Sequence, residues 1–146
     1  MTANNVLFGI TWRDALDATA LAVNFEADTF NMTLCTSTYT PDADAHDFFA
    51  DITNEVSGTG YSTPGPALDT VVINLTITTD YLTVDFADET IASSSITARQ
   101  GVLFDNTLAS DPLISAHDFG ADYTSSAGNF IIQPAATGVV RFPLDP

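Results

Sequence analysis

Asp42-Ala43-Asp44-Ala45-His46-Asp47 carries the clearest cation-binding signal in this 146-residue chain. Oxygen donors at alternate positions match the opening of a helix-loop-helix calcium loop. The match then fails, because Asp47 stands where the turn glycine belongs and Thr53 where a bidentate glutamate closes the site. Asp42, Asp44 and His46 are therefore weak candidate ligands, and the segment reads better as the solvated start of a short helix. Both histidines occur in the same tetrapeptide, Ala45-His46-Asp47-Phe48 and Ala116-His117-Asp118-Phe119. A His-Asp pair suits general-base chemistry, but neighbours on a strand point to opposite faces. A nucleophile is also missing: the serines and threonines lie in polar runs without an elbow motif, and Cys35 has no nearby partner. Gly58-Thr59-Gly60 lacks the third glycine and the lysine of a phosphate loop. No two aspartates stand out as a glycosidase pair. These residues predict a protein that is not an enzyme and binds no cofactor or small-molecule substrate.

The charge is more distinctive than any motif. The chain has no lysine, and 16 Asp and 3 Glu face only Arg13, Arg99 and Arg141, a net charge of -16. Self-repulsion at this level opposes the compact state in dilute buffer. Screening at molar salt, where the Debye length falls to about 3 Å, removes most of that cost. A saline setting follows, and nucleic acid and anionic membranes are excluded as partners. With so few cations, each arginine is expected to hold a carboxylate, and Arg99 and Arg141 are candidates for subunit contacts.

The elements that position these residues are mostly strands. Apolar residues make up 45% of the chain, with ten Phe, four Tyr and one Trp, enough for one domain spanning residues 1–146. Val71, Ile73, Leu75 and Ile77 alternate with polar residues, and Leu82, Val84 and Phe86 resume after Thr79-Asp80, which predicts a hairpin with one buried face. Further strands are expected at Phe30–Leu34, Ile96–Phe104, Leu113–Ala116, Phe130–Gln133 and Val139–Leu144. Short helices are expected after Thr40-Pro41, burying Phe48, Phe49 and Ile52, and from Arg13 to Ala22. The predicted fold class is all-β, a β-sandwich or jelly-roll-like domain with one or two short helices. Cys35 reads as a buried, inert strand residue. No basic stretch precedes an apolar run, so no signal peptide is expected, and no apolar run approaches the length of a membrane helix. The ends read as extended arms, residues 1–12 and 142–146. Val6, Leu7, Phe8, Ile10 and Trp12 form the first candidate anchor, with Phe142 and Leu144 second, against the plainer reading that these are ordinary core strands.

The runs Thr36-Ser37-Thr38-Tyr39-Thr40-Pro41, His46-Asp47-Phe48 and Asn54-Glu55-Val56-Ser57-Gly58-Thr59-Gly60-Tyr61 resemble a known family. So do Thr97-Ala98-Arg99, Asp111-Pro112-Leu113-Ile114, Asp118-Phe119-Gly120 and Ala136-Thr137-Gly138-Val139. The chain resembles small structural proteins encoded among the virion genes of tailed bacteriophages and tailed archaeal viruses. The absence of lysine and the proline-rich end depart from the usual pattern, and the first departure implies a marine or hypersaline host.

The resemblance implies a capsid decoration (cement) protein, made in the host cytoplasm and placed on the outer surface of the head. It would bridge capsomers of the major capsid protein, with copies of itself as a homotrimer. The alternative is a tail or receptor-contact protein of the same fold, in which Tyr61, Tyr123 and Asn129 meet a host glycan or surface protein.

Overall fold

The computed structural model describes residues 5–17, 21–76 and 81–143. Nine strands and one α-helix are present among them: β1 (Asn5–Leu7), α1 (Gly9–Asp17), β2 (Phe30–Cys35), β3 (Val72–Thr76), β4 (Tyr81–Asp85), β5 (Glu89–Ser94), β6 (Thr97–Asp105), β7 (Leu113–Thr124), β8 (Gly128–Ile132) and β9 (Val140–Pro143). The fold is all-β, as the alternation predicts. All pairings are antiparallel, in sheets of order β1-β7-β6-β2, β3-β4-β9 and β5-β8.

The four-stranded sheet is buried on both faces. Phe30, Met32 and Leu34 of β2 meet Val84 of β4, Ile91 of β5, Phe130 and Ile132 of β8 and Val140 of β9 in the larger core. Cys35, Val102 and Phe104 point the other way, into a second core closed by Phe8, Tyr39, Leu113 and Ala116. A register shift between Ala98 and Gln100 changes the parity of β6, so Ala98 and Leu103 share the larger core while Val102 and Phe104 fill the smaller. This is why Asn31, Thr33 and Gln100, which alternation alone would send to water, are buried. Each donates inside: Asn31 Nδ2 to Gly65 O (2.9 Å), Thr33 Oγ1 to Pro64 O (2.5 Å) and Gln100 Nε2 to Tyr39 O (2.6 Å).

The free edge of β2 is covered by the chain itself. Met32 N donates to Pro66 O, Val56 N to Leu34 O and Leu68 N to Phe30 O, so residues 54–68 close the sheet without forming a full strand. Gly65 permits the close approach, since at φ +95° a Cβ there would lie 2.1 Å from Met32 O.

Several expectations are corrected. The helix after Thr40-Pro41 is absent, leaving turns and a 3-10 turn at Phe49–Asp51. Side chains take the backbone donors a helix would use: Asp42 Oδ1 accepts the Asp44 N–H, and Asp51 Oδ2 accepts those of Asp47 and Phe48. Those two N–H groups, Phe48 first, hold the Asp51 carboxyl below its usual range. Phe49 and Ile52 do pack on the smaller core, but Phe48 is exposed. The helix expected from Arg13 to Ala22 starts earlier, at Gly9, and residues 18–20 lie outside the described residues. The strand beginning at Leu113 continues to Thr124.

The N-terminal segment is not an extended arm over its described length. Asn5–Leu7 pair with Ser115–His117, with Val6 and Leu7 half-buried. Phe8 is 0% exposed, and Ile10 and Trp12 lie in α1. Trp12 Nε1 donates to Ile114 O (3.1 Å), and its ring meets Phe142 edge-on at 4.7 Å. Apolar side chains this close to an open core face are held by their own fold. Phe142 likewise pairs with Leu82 in β9, and Leu144 lies outside the described residues.

Ion pairs contribute little. The two salt bridges among the described residues are Arg13–Asp14, between exposed sequence neighbours, and Arg99–Asp118. The melting temperature is therefore expected to rise by several degrees between about 0.1 M and about 2 M NaCl. An equal rise in a non-electrolyte osmolyte would assign the effect to burial instead of charge.

A candidate docking edge

The hairpin of β3 and β4 forms as the sequence predicts, but its apolar face is only half covered. The register pairs Ile73 with Val84 and Leu75 with Leu82, and β9 continues the rows with Val140 and Phe142. Val84 and Val140 are buried at 4% and 0% exposure, whereas Ile73 is 47% and Leu75 61% exposed. The expectation that Val71, Ile73 and Leu75 line a buried face is thus corrected at Ile73 and Leu75, and Ile77 lies outside the described residues. The reason is position: β3 ends its sheet, and the covering layer stops at β4.

The edge also lacks the usual protection. Natural sheets blunt free edges with charge, proline or a covering loop. In a chain with 19 acids, Val71 to Thr79 carry no charge and no proline. β2 has its covering loop; among the described residues, β3 has none. Burying the remaining apolar surface of Ile73 and Leu75 would contribute about 1 kcal/mol each. Among the described residues no strand pairs with the outer edge of β3, which offers a ladder for an added strand.

The other predicted site residues do not converge. His46 Nδ1 accepts from Asp42 N–H (3.3 Å) and lies 3.2 Å from the Tyr39 hydroxyl, so the cation-loop candidates Asp42, Asp44 and His46 are occupied by local turns. Among the described residues no three metal-capable side chains cluster. His117 and Asp118 point to opposite faces. His117 is 1% exposed, with Nε2 2.8 Å from Ser115 Oγ, and burial lowers its pKa to about 4. This Ser-His pair is sealed in the core, out of reach of any substrate. Asp118 instead takes Arg99 in a bidentate pair, Nε to Oδ1 at 2.5 Å and Nη2 to Oδ2 at 3.2 Å, which holds the carboxyl below its usual range. Arg141 lies over the Tyr81 ring, 3.3 Å from its centroid. Cys35 is fully buried, and its thiol is pushed up to about 12.

No family model, no curated protein and no solved structure matches this chain. Its function must be read from the molecule.

Tyr61 is not a surface contact residue: it is half-buried, its hydroxyl donates to Glu55 Oε1 (2.7 Å) and accepts from Leu34 N–H (3.1 Å). Tyr123 and Asn129, by contrast, line one groove of about 420 Å³ with Phe119, Ile131 and Gln133. Phe119 and Tyr123 meet edge-on at 6.4 Å, and Tyr123 is 55% exposed.

Sequence reasoning missed the β3 edge because it took alternation as proof of burial. Absence of charge does not single it out, because longer uncharged runs span 29–41, 56–68 and 123–140. Asp105 was missed as well, because a buried aspartate at a turn has no sequence signature; its carboxyl is pushed up to about 6, chiefly by burial.

Proposed function

We propose that this chain is a non-enzymatic structural subunit that docks on a larger assembly through the β3 edge. The specific form we propose is a decoration (cement) protein on the outer surface of a tailed-virus head, bridging capsomers of the major capsid protein. The observation that carries the reading is the uncharged, apolar, uncovered edge at Ile73 and Leu75. The edge itself carries no charge to oppose contact with another protein. The occupant we assign is a strand of the major capsid protein, held by main-chain pairing and by burial of these two side chains. The acidic remainder keeps decorated particles apart and free of nucleic acid in salt. The resemblance to virion structural proteins, which runs from Val6 to Phe142, supplies the setting.

A second reading, a tail or receptor-contact protein, rests on the groove of Tyr123 and Asn129, where an aromatic platform beside amide groups suits a sugar ring. A density map of the assembled particle separates the two. The decoration reading expects this domain at capsomer junctions with β3 against the shell, and density confined to the tail would overturn it.

A further inference from the structure

The outer face of the β3-β4-β9 sheet carries an arginine with no carboxylate to hold. The register sets Asn74, Thr83 and Arg141 in one row across the three strands, with Tyr81 and Asp85 two residues to either side of Thr83 along β4. Side chains two apart share a face, so these residues stand on the side opposite Val84 and Val140. Gly138 comes close over the same row, since a Cβ there would lie 2.9 Å from Val84 O and 3.1 Å from Thr83 Cβ. Loop and sheet together form a groove of about 390 Å³ that runs from Arg141 and Tyr81 to Asn74 and Leu75 of β3. The groove therefore reaches the docking edge.

Arg13 and Arg99 each hold an aspartate, Asp14 at 2.6 Å and Asp118 at 2.5 Å. Among the described residues no carboxylate pairs with Arg141, although the chain has 19 acids. Its guanidinium carbon sits 3.3 Å from the centre of the Tyr81 ring, which steadies the exposed group and leaves its rim of N–H donors open. A forked, planar anion fits that rim, and on a protein partner that anion is a carboxylate. Asp85 does not compete for it, lying about 13 Å from Tyr81 along β4, with its Oδ1 on the Phe86 N–H (2.9 Å). We propose that Arg141 reads the charge of the docked partner: an acidic side chain beside the strand that joins β3 enters this groove and pairs with Arg141 over Tyr81. This rests on β3 being the docking edge, and it adds the chemistry of what docks there. An added strand lies about 10 Å from β4, two strand spacings, so the reach of glutamate suits the task better than that of aspartate. A partner lacking the acid would cover Arg141 without compensating its lost hydration, which turns the groove against wrong strands.

The test is retention of the full chain on particles stripped of the native one, read by co-sedimentation at about 0.3 M and about 3 M NaCl. Arg141→Gln is expected to bind about tenfold more weakly than the parent at the lower salt, with the gap closing at the higher. Its melting temperature should stay within about 2 °C of the parent's. Arg141→Lys, which keeps the charge and loses the fork, should fall between the two. Arg13→Gln removes the same charge from an exposed pair and is expected to bind as the parent does. An equal loss in Arg13→Gln would assign the effect to net charge and overturn the inference. Full retention of Arg141→Gln, with binding lost in Ile73→Lys with Leu75→Lys, would leave the docking edge standing and overturn the role of Arg141. Full retention of every variant would overturn the docking edge and this inference with it. A lower melting temperature in Arg141→Gln with parent-like retention would make the stack on Tyr81 purely structural and overturn it too.

Discussion

Truncating Phe8 to alanine is expected to destabilise the fold by about 3 to 5 kcal/mol. Phe8 is 0% exposed and packs among Cys35, Tyr39, Val102, Phe104, Leu113 and Ala116 in the smaller core. Its backbone is anchored as well, with Phe8 N donating to Ile114 O and Phe8 O accepting from Trp12 N at the start of α1. Removing the ring leaves a cavity that neighbours fixed by β6 and β7 cannot close. Against a total stability of about 5 to 15 kcal/mol, this is a large fraction. Measured in high salt, the melting temperature should fall by about 10 °C. An anchoring arm would behave oppositely, losing assembly while melting unchanged. That result would show Phe8 free in the isolated subunit and refute its place in the core.

The complementary change is a pair of lysines on the docking edge, Ile73→Lys with Leu75→Lys. Both side chains are about half exposed, so stability should move by no more than about 1 kcal/mol. Binding should respond strongly, because a lysine on an edge strand must be desolvated before another strand can pair with it. Loss of two apolar anchors at about 1 kcal/mol each predicts a fall in affinity of roughly thirtyfold. Retention on particles stripped of the native chain, read by co-sedimentation in high salt, checks it. Unchanged retention would remove β3 as the docking edge. A collapse in melting temperature would mean that β3 is covered by its own chain. Paired with Phe8→Ala, the experiment separates what holds the subunit together from what holds it to a partner.

The structure changes what a sheet edge means in this molecule. β2 and β3 are both terminal strands of their sheets and both rich in apolar residues. Residues 54–68 lie along β2 and take up its edge hydrogen bonds and the donors of Asn31 and Thr33, so no open ladder is left there for a partner strand. β3 carries the same alternation without the covering segment. The difference lies in the path of the chain after each strand, which no local pattern encodes.

Local chemistry was legible for the same reason it is local. Period-two alternation fixed the β3–β4 hairpin and β2, because strand side chains project alternately whatever the fold. Adjacent placement of His117 and Asp118 dictated opposite faces and ruled out their cooperation. The helix expected after Thr40-Pro41 failed because several side-chain acceptors in one stretch compete for the same N–H groups, and propensity does not decide that contest.

By itself, the sequence determined the all-β class, the inert buried thiol and the high negative charge, since these follow from composition and from the two-residue period of a strand. Only the tertiary structure decided that the N-terminal segment is core and not arm, that Ile73 and Leu75 stand uncovered, and that Arg141 lies over Tyr81. Each depends on which distant segments meet, and burial belongs to that meeting and not to the residue.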